Sequence, residues 1–180
     1  GELSSVLPSA FLNGPGYYYK VVDPNTVFVG LSNAWSTVDC DPQTNLLKAL
    51  FSNLKDKNVI VFYHHPYKPI IGRYDSSGPC TSDWHSVLKD GAKDNKVVVV
   101  SGHTHGLGYK VEDSVTYIEA GAANNGQPSV VGKPNCNNVD YKNCEAQPGY
   151  VVCDSNLVTC YAKDKNGVPL FLISDSNLNV

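Results

Sequence analysis

The chain has 180 residues, 42% of them hydrophobic and 17% charged, enough apolar material for the core of a globular domain. Its formal net charge is −3, so it lacks the basic excess that nucleic-acid binding draws on. No run reaches the about 18 consecutive apolar residues of a membrane span, and no charged-then-apolar leader opens the chain.

Residues 1–16 are punctuated by Pro and Gly without a clear period, which predicts loop. Tyr17–Val22 and Thr26–Leu31 are β-rich runs around the turn Asp23-Pro24-Asn25, a predicted hairpin. Pro42–Lys55 reads as a helix capped by Asp41, because Leu46, Leu47, Leu50, Phe51 and Leu54 recur at helical spacing. Asn58–Tyr63 is a continuous apolar strand of the kind buried on both faces. His64-His65-Pro66 follows, then a polar loop through Thr81. Ser82 or Asp83 is expected to cap a second helix that carries Trp84, Val87 and Leu88 and ends near Gly91. Lys96–Ser101 is another buried strand, followed at once by Gly102-His103-Thr104-His105-Gly106. Val115–Glu119 is a third such strand, and residues 124–148 read as a long loop. Tyr150–Asp154 and Leu157–Lys163 form a predicted hairpin, and Asn166-Gly167 turns into a last strand over Pro169–Ser174. The order β-β-α-β-α-β-β with a β tail predicts a layered α/β sandwich. There is no internal repeat or linker, so residues 1–180 are expected to form a single domain.

The six cysteines lie in or beside segments rich in Asp, Asn, Pro and Gly, and none forms a C-x-x-C pair. That pattern predicts disulfides and a secreted or lumenal protein rather than a zinc ribbon. Sequence does not choose among the possible pairings; Cys40–Cys80, Cys136–Cys144 and Cys153–Cys160 are the expected ones. The chain holds no methionine and opens on Gly1, which predicts a processed product whose upstream part has been removed. No Asn-x-Ser/Thr sequon occurs, so no N-linked glycan is expected.

Of five histidines, four fall in two clusters, His64/His65 and His103/His105. Each cluster sits at the carboxyl end of a buried strand, the edge where open α/β sheets build their sites. Imidazole is the commonest protein metal ligand, and Gly102 and Gly106 let the H-T-H backbone turn tightly. His85 is expected on the surface of a helix. Asp83-Trp84-His85 imitates an Asp-x-His ligand pair but begins a helix instead of ending a strand, so it is set aside.

V-I-V-F-Y-H-H-P followed by V-V-V-V-S-G-H-T-H-G resembles the carboxyl half of calcineurin-like metallophosphoesterases, including the purple acid phosphatases. The resemblance extends along most of the chain. Tyr17-Tyr18-Tyr19 leading into V-F-V-G-L-S-N is similar to that family's strand pair before its first helix. Tyr117-Ile118-Glu119-Ala120-Gly121-Ala122 resembles its strand ending in small residues, and Gly149 onward resembles its closing hairpin. It implies the carboxyl-terminal half of a metallophosphoesterase fold that hydrolyses phosphoric esters by in-line attack of a metal-bound hydroxide. By position, His64 and His103 would bind the second metal and His105 the first, with His65 facing outward or supporting the ligands from behind. Arg73 and Lys68, on the loop after His-His-Pro, are candidates for contacting a substrate phosphate, beside the plainer reading of solvated loop cations.

The same family carries an amino-terminal Asp-x-His, a Gly-Asp-x-x-Asp and a Gly-Asn-His-Asp/Glu, and none of these occurs here in a matching context. The two ions the resemblance implies (Fe, Zn or Mn, divalent or of mixed valence) would therefore be shared with a missing amino-terminal segment. The expected partners are that amino-terminal chain, or another subunit, and a phosphoester substrate. The isolated chain is expected to be inactive. Two other readings stay open: a catalytically inactive relative serving as a secreted structural or binding protein, and a single-zinc hydrolase built on His64, His103 and His105.

Overall fold

The computed structural model describes residues 14, 16–34, 38–69, 77–104, 106–120, 143–145, 149–154 and 160–173. Strands β1 (Tyr18–Asp23) and β2 (Thr26–Gly30) form the predicted hairpin, with the Asp23 carboxylate accepting the Asn25 amide inside the turn. Helix α1 (Cys40–Phe51) leads to strand β3 (Asn58–Phe62), and helix α2 (Thr81–Gly91) leads to strand β4 (Lys96–Ser101). Strands β5 (Leu107–Glu112) and β6 (Val115–Ala120) make a second hairpin, and β7 (Asn143–Glu145) borders it. Strands β8 (Gly149–Cys153), β9 (Cys160–Asp164) and β10 (Pro169–Ile173) complete the described elements.

Among the described residues, seven strands share one sheet in the order β1-β2-β3-β4-β6-β5-β7, and β10-β9-β8 form a second. β2, β3, β4 and β6 run parallel, so their carboxyl ends lie along one edge. The valine-rich strands divide by alternation. Val27, Val29, Val59, Val61, Val97 and Val99 face α1 and α2, where Leu46, Leu47, Leu50, Trp84 and Leu88 close the core. Ile60, Val98, Tyr109 and Ile118 face the three-stranded sheet and pack on Cys160 and Ile173. The described residues thus form three layers: helices, a large mixed sheet and a small antiparallel sheet.

Both helices start differently from the sequence reading. α1 is capped by Asp39, whose side chain accepts the Asp41 amide, and Pro42 falls in the first turn, where a missing N–H costs nothing. α2 begins at Thr81 with Cys80 at its cap in the left-handed region (φ 67°) and no side-chain cap. The Cys40–Cys80 disulfide joins the amino-terminal ends of the two helices across a sequence separation of 40. In a chain-entropy account such a closure contributes about 4 kcal/mol. Cys153–Cys160 bridges β8 and β9 as expected. The expected Cys136–Cys144 pairing lies outside the described residues.

Strand β5 escaped the sequence reading because its buried positions include Gly108 and Lys110, which break the apolar pattern. Lys110 is only 2% exposed; its ammonium pairs with Glu112 and lies 4.9 Å from the Tyr67 ring centroid and 5.3 Å from that of Tyr117. Asp113 and Ser114 both hold positive φ (51° and 63°), the geometry of a two-residue hairpin turn.

His85 is not the surface residue its helix position suggested. It is 8% exposed and stacked on Tyr67 (ring centroids 4.3 Å), with Nδ1 2.7 Å from the Tyr117 hydroxyl and Nε2 3.2 Å from the Asp113 carboxylate. Burial lowers its pKa below the ordinary histidine value and outweighs the opposing hydrogen bond with Asp113 and the charges of Glu112 and Asp113. Between that lowered value and about 6.5 the unfolded chain holds the extra proton, so stability rises with pH and falls on acidification. Urea unfolding at pH 7.5 and 5.5 is expected to show this loss. His85→Phe should reduce the slope by at most about 1.4 kcal/mol per pH unit, the limit for one proton.

Candidate metal site at the strand ends

Three neighbouring parallel strands deliver the candidate residues to one edge. β2 continues into Leu31-Ser32-Asn33, β3 into Tyr63-His64-His65, and β4 into Gly102-His103-Thr104. The Leu31 amide donates to the Phe62 carbonyl and the Tyr63 amide to the Val100 carbonyl, which extends the sheet register past the formal strand ends. The Gly102 amide then donates to the His64 carbonyl and fixes the two histidine loops to each other.

His64, His65 and His103 converge. Their nearest ring nitrogens all lie within 4.8 Å of one another, and His103 Nδ1 is 3.3 Å from His64 Nε2. Ring centroids are separated by 4.0 Å for His65 and His103, 4.8 Å for His64 and His65, and 5.2 Å for His64 and His103. His64 is exposed, and the other two are half-buried. Burial and the neighbouring His64 hold the pKa of His65 below the ordinary value, which favours the neutral ring that a metal ion requires. His103 occupies the left-handed region (φ 65°), a conformation that costs a non-glycine residue about 1 kcal/mol or more and concentrates at functional sites. The Thr104 hydroxyl donates to the buried Glu119 carboxylate and so anchors the H-T-H loop from below.

The residue that organises the cluster is Asn33, which has no exposed surface. Its Oδ1 accepts both consecutive amides, His64 N (3.0 Å) and His65 N (2.9 Å), while its Nδ2 donates to the His65 carbonyl at 2.9 Å and the Pro79 carbonyl at 3.4 Å. Two successive N–H groups aimed at one oxygen form a concave nest, incompatible with extended strand. Gly78 closes the back of the turn: a Cβ there would stand 2.3 Å from the His65 Cβ and 3.0 Å from Asn33 Nδ2.

His105 and Arg73 lie outside the described residues. Lys68 is taken up by Glu112 at 2.5 Å and lies over the Tyr67 ring, and its pKa is raised by that hydrogen bond. His65, expected to face outward or to support the ligands from behind, joins the other two imidazoles. Sequence reasoning did not single out Asn33, whose only signal was a polar residue after an apolar run. An open groove of about 460 Å³, lined by Tyr18, Leu31, Phe62, His64, Val100 and Gly102, runs along the same edge.

No protein-family profile and no curated protein matches the sequence. Among solved structures, GAP50, the anchor in the inner membrane complex of Plasmodium, matches with a TM-score of 0.60 at 14% identity, covering 88% of this chain and 53% of that one. A dimetal phosphatase from Danio rerio matches with a TM-score of 0.44 at 15% identity, covering 58% of this chain and 48% of that one. The likeness to GAP50 is one of fold, a mixed α/β arrangement of a helix-flanked sheet with a second antiparallel sheet. The chain spans about half the length of these structures.

The donor set is suited to one metal ion. Imidazole nitrogens suit borderline transition-metal ions at about 2.0–2.1 Å, and no carboxylate joins the cluster among the described residues. A paired-metal centre needs further donors.

Because Asn33 satisfies two part-buried amides and two carbonyls at once, Asn33→Leu should lower the unfolding free energy by about 2–4 kcal/mol, the penalty for orphaned polar groups. Urea unfolding monitored by tryptophan fluorescence checks this.

Proposed function

We propose that the chain is the carboxyl-terminal part of a metal-dependent phosphoesterase and that it supplies the histidine wall of a metal centre completed by an amino-terminal segment. The observation that carries this reading is the convergence of imidazoles from two adjacent parallel strand ends, His64 and His65 beside His103, in a metallophosphoesterase-like fold. His64 and His103 would hold one cation, and His105 would reach towards a second. A bound divalent cation supplies Lewis acidity that polarises a phosphoryl oxygen and acidifies bound water. The chain's own residues position it. Asn33 holds the His64–His65 turn, Glu119 holds Thr104, and the apolar wall of Tyr18, Phe62 and Val100 offers a surface for the organic portion of an ester. The disulfides support export to an oxidising compartment.

A second reading, a non-catalytic docking protein, is favoured by the outer face of the small sheet. Val152, Tyr161 and Leu172 align across β8, β9 and β10 in one row, and each is 41–44% exposed. Apolar rows of this kind mark interaction surfaces, and GAP50 is itself described as an anchor.

The two readings separate on the native material. The phosphoesterase reading expects hydrolysis of p-nitrophenyl phosphate that is abolished by a chelator and restored by Zn, Mn or Fe. His103→Ala should lower the rate at least about 100-fold, beyond what loss of a supporting residue alone costs. Metal-loaded, folded protein without hydrolysis would decide for the docking role.

A further inference from the structure

We propose that His65 is itself a cation ligand, so that His64, His65 and His103 together grip one divalent transition-metal ion between the ends of β3 and β4. The proposal rests on reading this cluster as a metal site, and it gives position 65 a role that the family resemblance does not.

Consecutive residues of a strand project to opposite faces. Were β3 to continue through His-His-Pro, the two imidazoles would point apart and only one could serve the site. The Asn33 carboxamide prevents this. By drawing the amides of His64 and His65 to a single oxygen, it curls the backbone into a nest and leaves both rings on one side, 4.8 Å apart. His103 comes to meet them through its left-handed backbone, and its ring approaches His65 more closely than His64.

The distances suit four-coordinate geometry. Nitrogens bound at about 2.0–2.1 Å around a tetrahedral ion stand about 3.4 Å apart, and His64 Nε2 and His103 Nδ1 are already at 3.3 Å. The widest separation in the trio is within 4.8 Å, an excess that turning one of these partly exposed rings removes. Three neutral imidazoles favour zinc, cobalt or copper over magnesium or calcium, which take oxygen donors. The fourth position is left for solvent, a phosphate oxygen or a further side chain.

The test is a Co²⁺ titration of the complete protein, stripped of metal by a chelator, with binding followed by visible absorption. Wild-type protein is expected to develop the intense bands of four-coordinate Co²⁺. His65→Ala and His65→Gln, each checked for native circular dichroism, should lower the affinity more than about 100-fold, beyond the range of an outer-sphere partner, and should shift and weaken the bands. The proposal is overturned if both variants keep the wild-type bands with affinity within about tenfold of wild type while His64→Ala and His103→Ala lose the ion. Failure of the wild-type protein to bind Co²⁺ at all overturns the metal-site reading as well.

Discussion

The edge of this sheet depends on one side chain, the Asn33 carboxamide. Past Leu31, Tyr63 and Ser101 the parallel strands leave regular pairing, and their backbone groups need new partners or water. Asn33 supplies them from a fully buried position, accepting two amides of the β3 extension and donating to carbonyls of two different loops. A hydrophobic residue of the same size would fill the space but leave those groups unpaired. An aspartate could accept but not donate. The carboxamide is the side chain that offers both from one planar group, and it converts a strand end into a platform carrying two imidazoles.

The layers below give that platform its rigidity. Valines of β2, β3 and β4 alternate between a helical layer and the small sheet, so neither face of the large sheet is free to slide. The Cys40–Cys80 bridge ties the amino-terminal ends of α1 and α2, and each helix leads directly into a parallel strand of the large sheet. On the far side of the site, Glu119 on β6 reaches Thr104, and Lys110 on β5 is enclosed by Glu112 and two tyrosine rings. These polar contacts connect the end of β4 with β6 and β5 with β6.

Periodicity made most of this architecture legible. Uninterrupted apolar runs marked β3, β4 and β6 as strands buried on both faces, and the leucine spacing marked α1. The histidine clusters stood out because both followed such runs directly. What escaped depends on contacts distant in sequence. β5 was hidden because Lys110 and Gly108 occupy buried positions, the lysine accommodated by the Tyr67 and Tyr117 rings and Glu112. His85 read as a surface residue because nothing in α2 itself announces Tyr67 and Tyr117 as its partners. His65 was expected to face outward or to support the ligands from behind because the family resemblance gives its position no ligand role, and the chain's own turn brings its ring into the cluster. The interaction that holds that turn comes from Asn33, a sequence separation of 32 away. Likewise the caps of both helices lie outside the residues that local propensity selected, Asp39 by its own hydrogen bond and Cys80 within its disulfide.

The central claim is geometric: two imidazoles set by the Asn33 carboxamide and a third set by the left-handed backbone of His103 share a single cation. Diffraction from crystals of the native protein grown with zinc, recorded on both sides of the zinc absorption edge, tests it most directly. The account predicts an anomalous peak at about 2.0–2.1 Å from a ring nitrogen of each of His64, His65 and His103, with Asn33 still hydrogen-bonded beneath them. Rings that diverge in the zinc-bound crystal, with no peak between them, would contradict it.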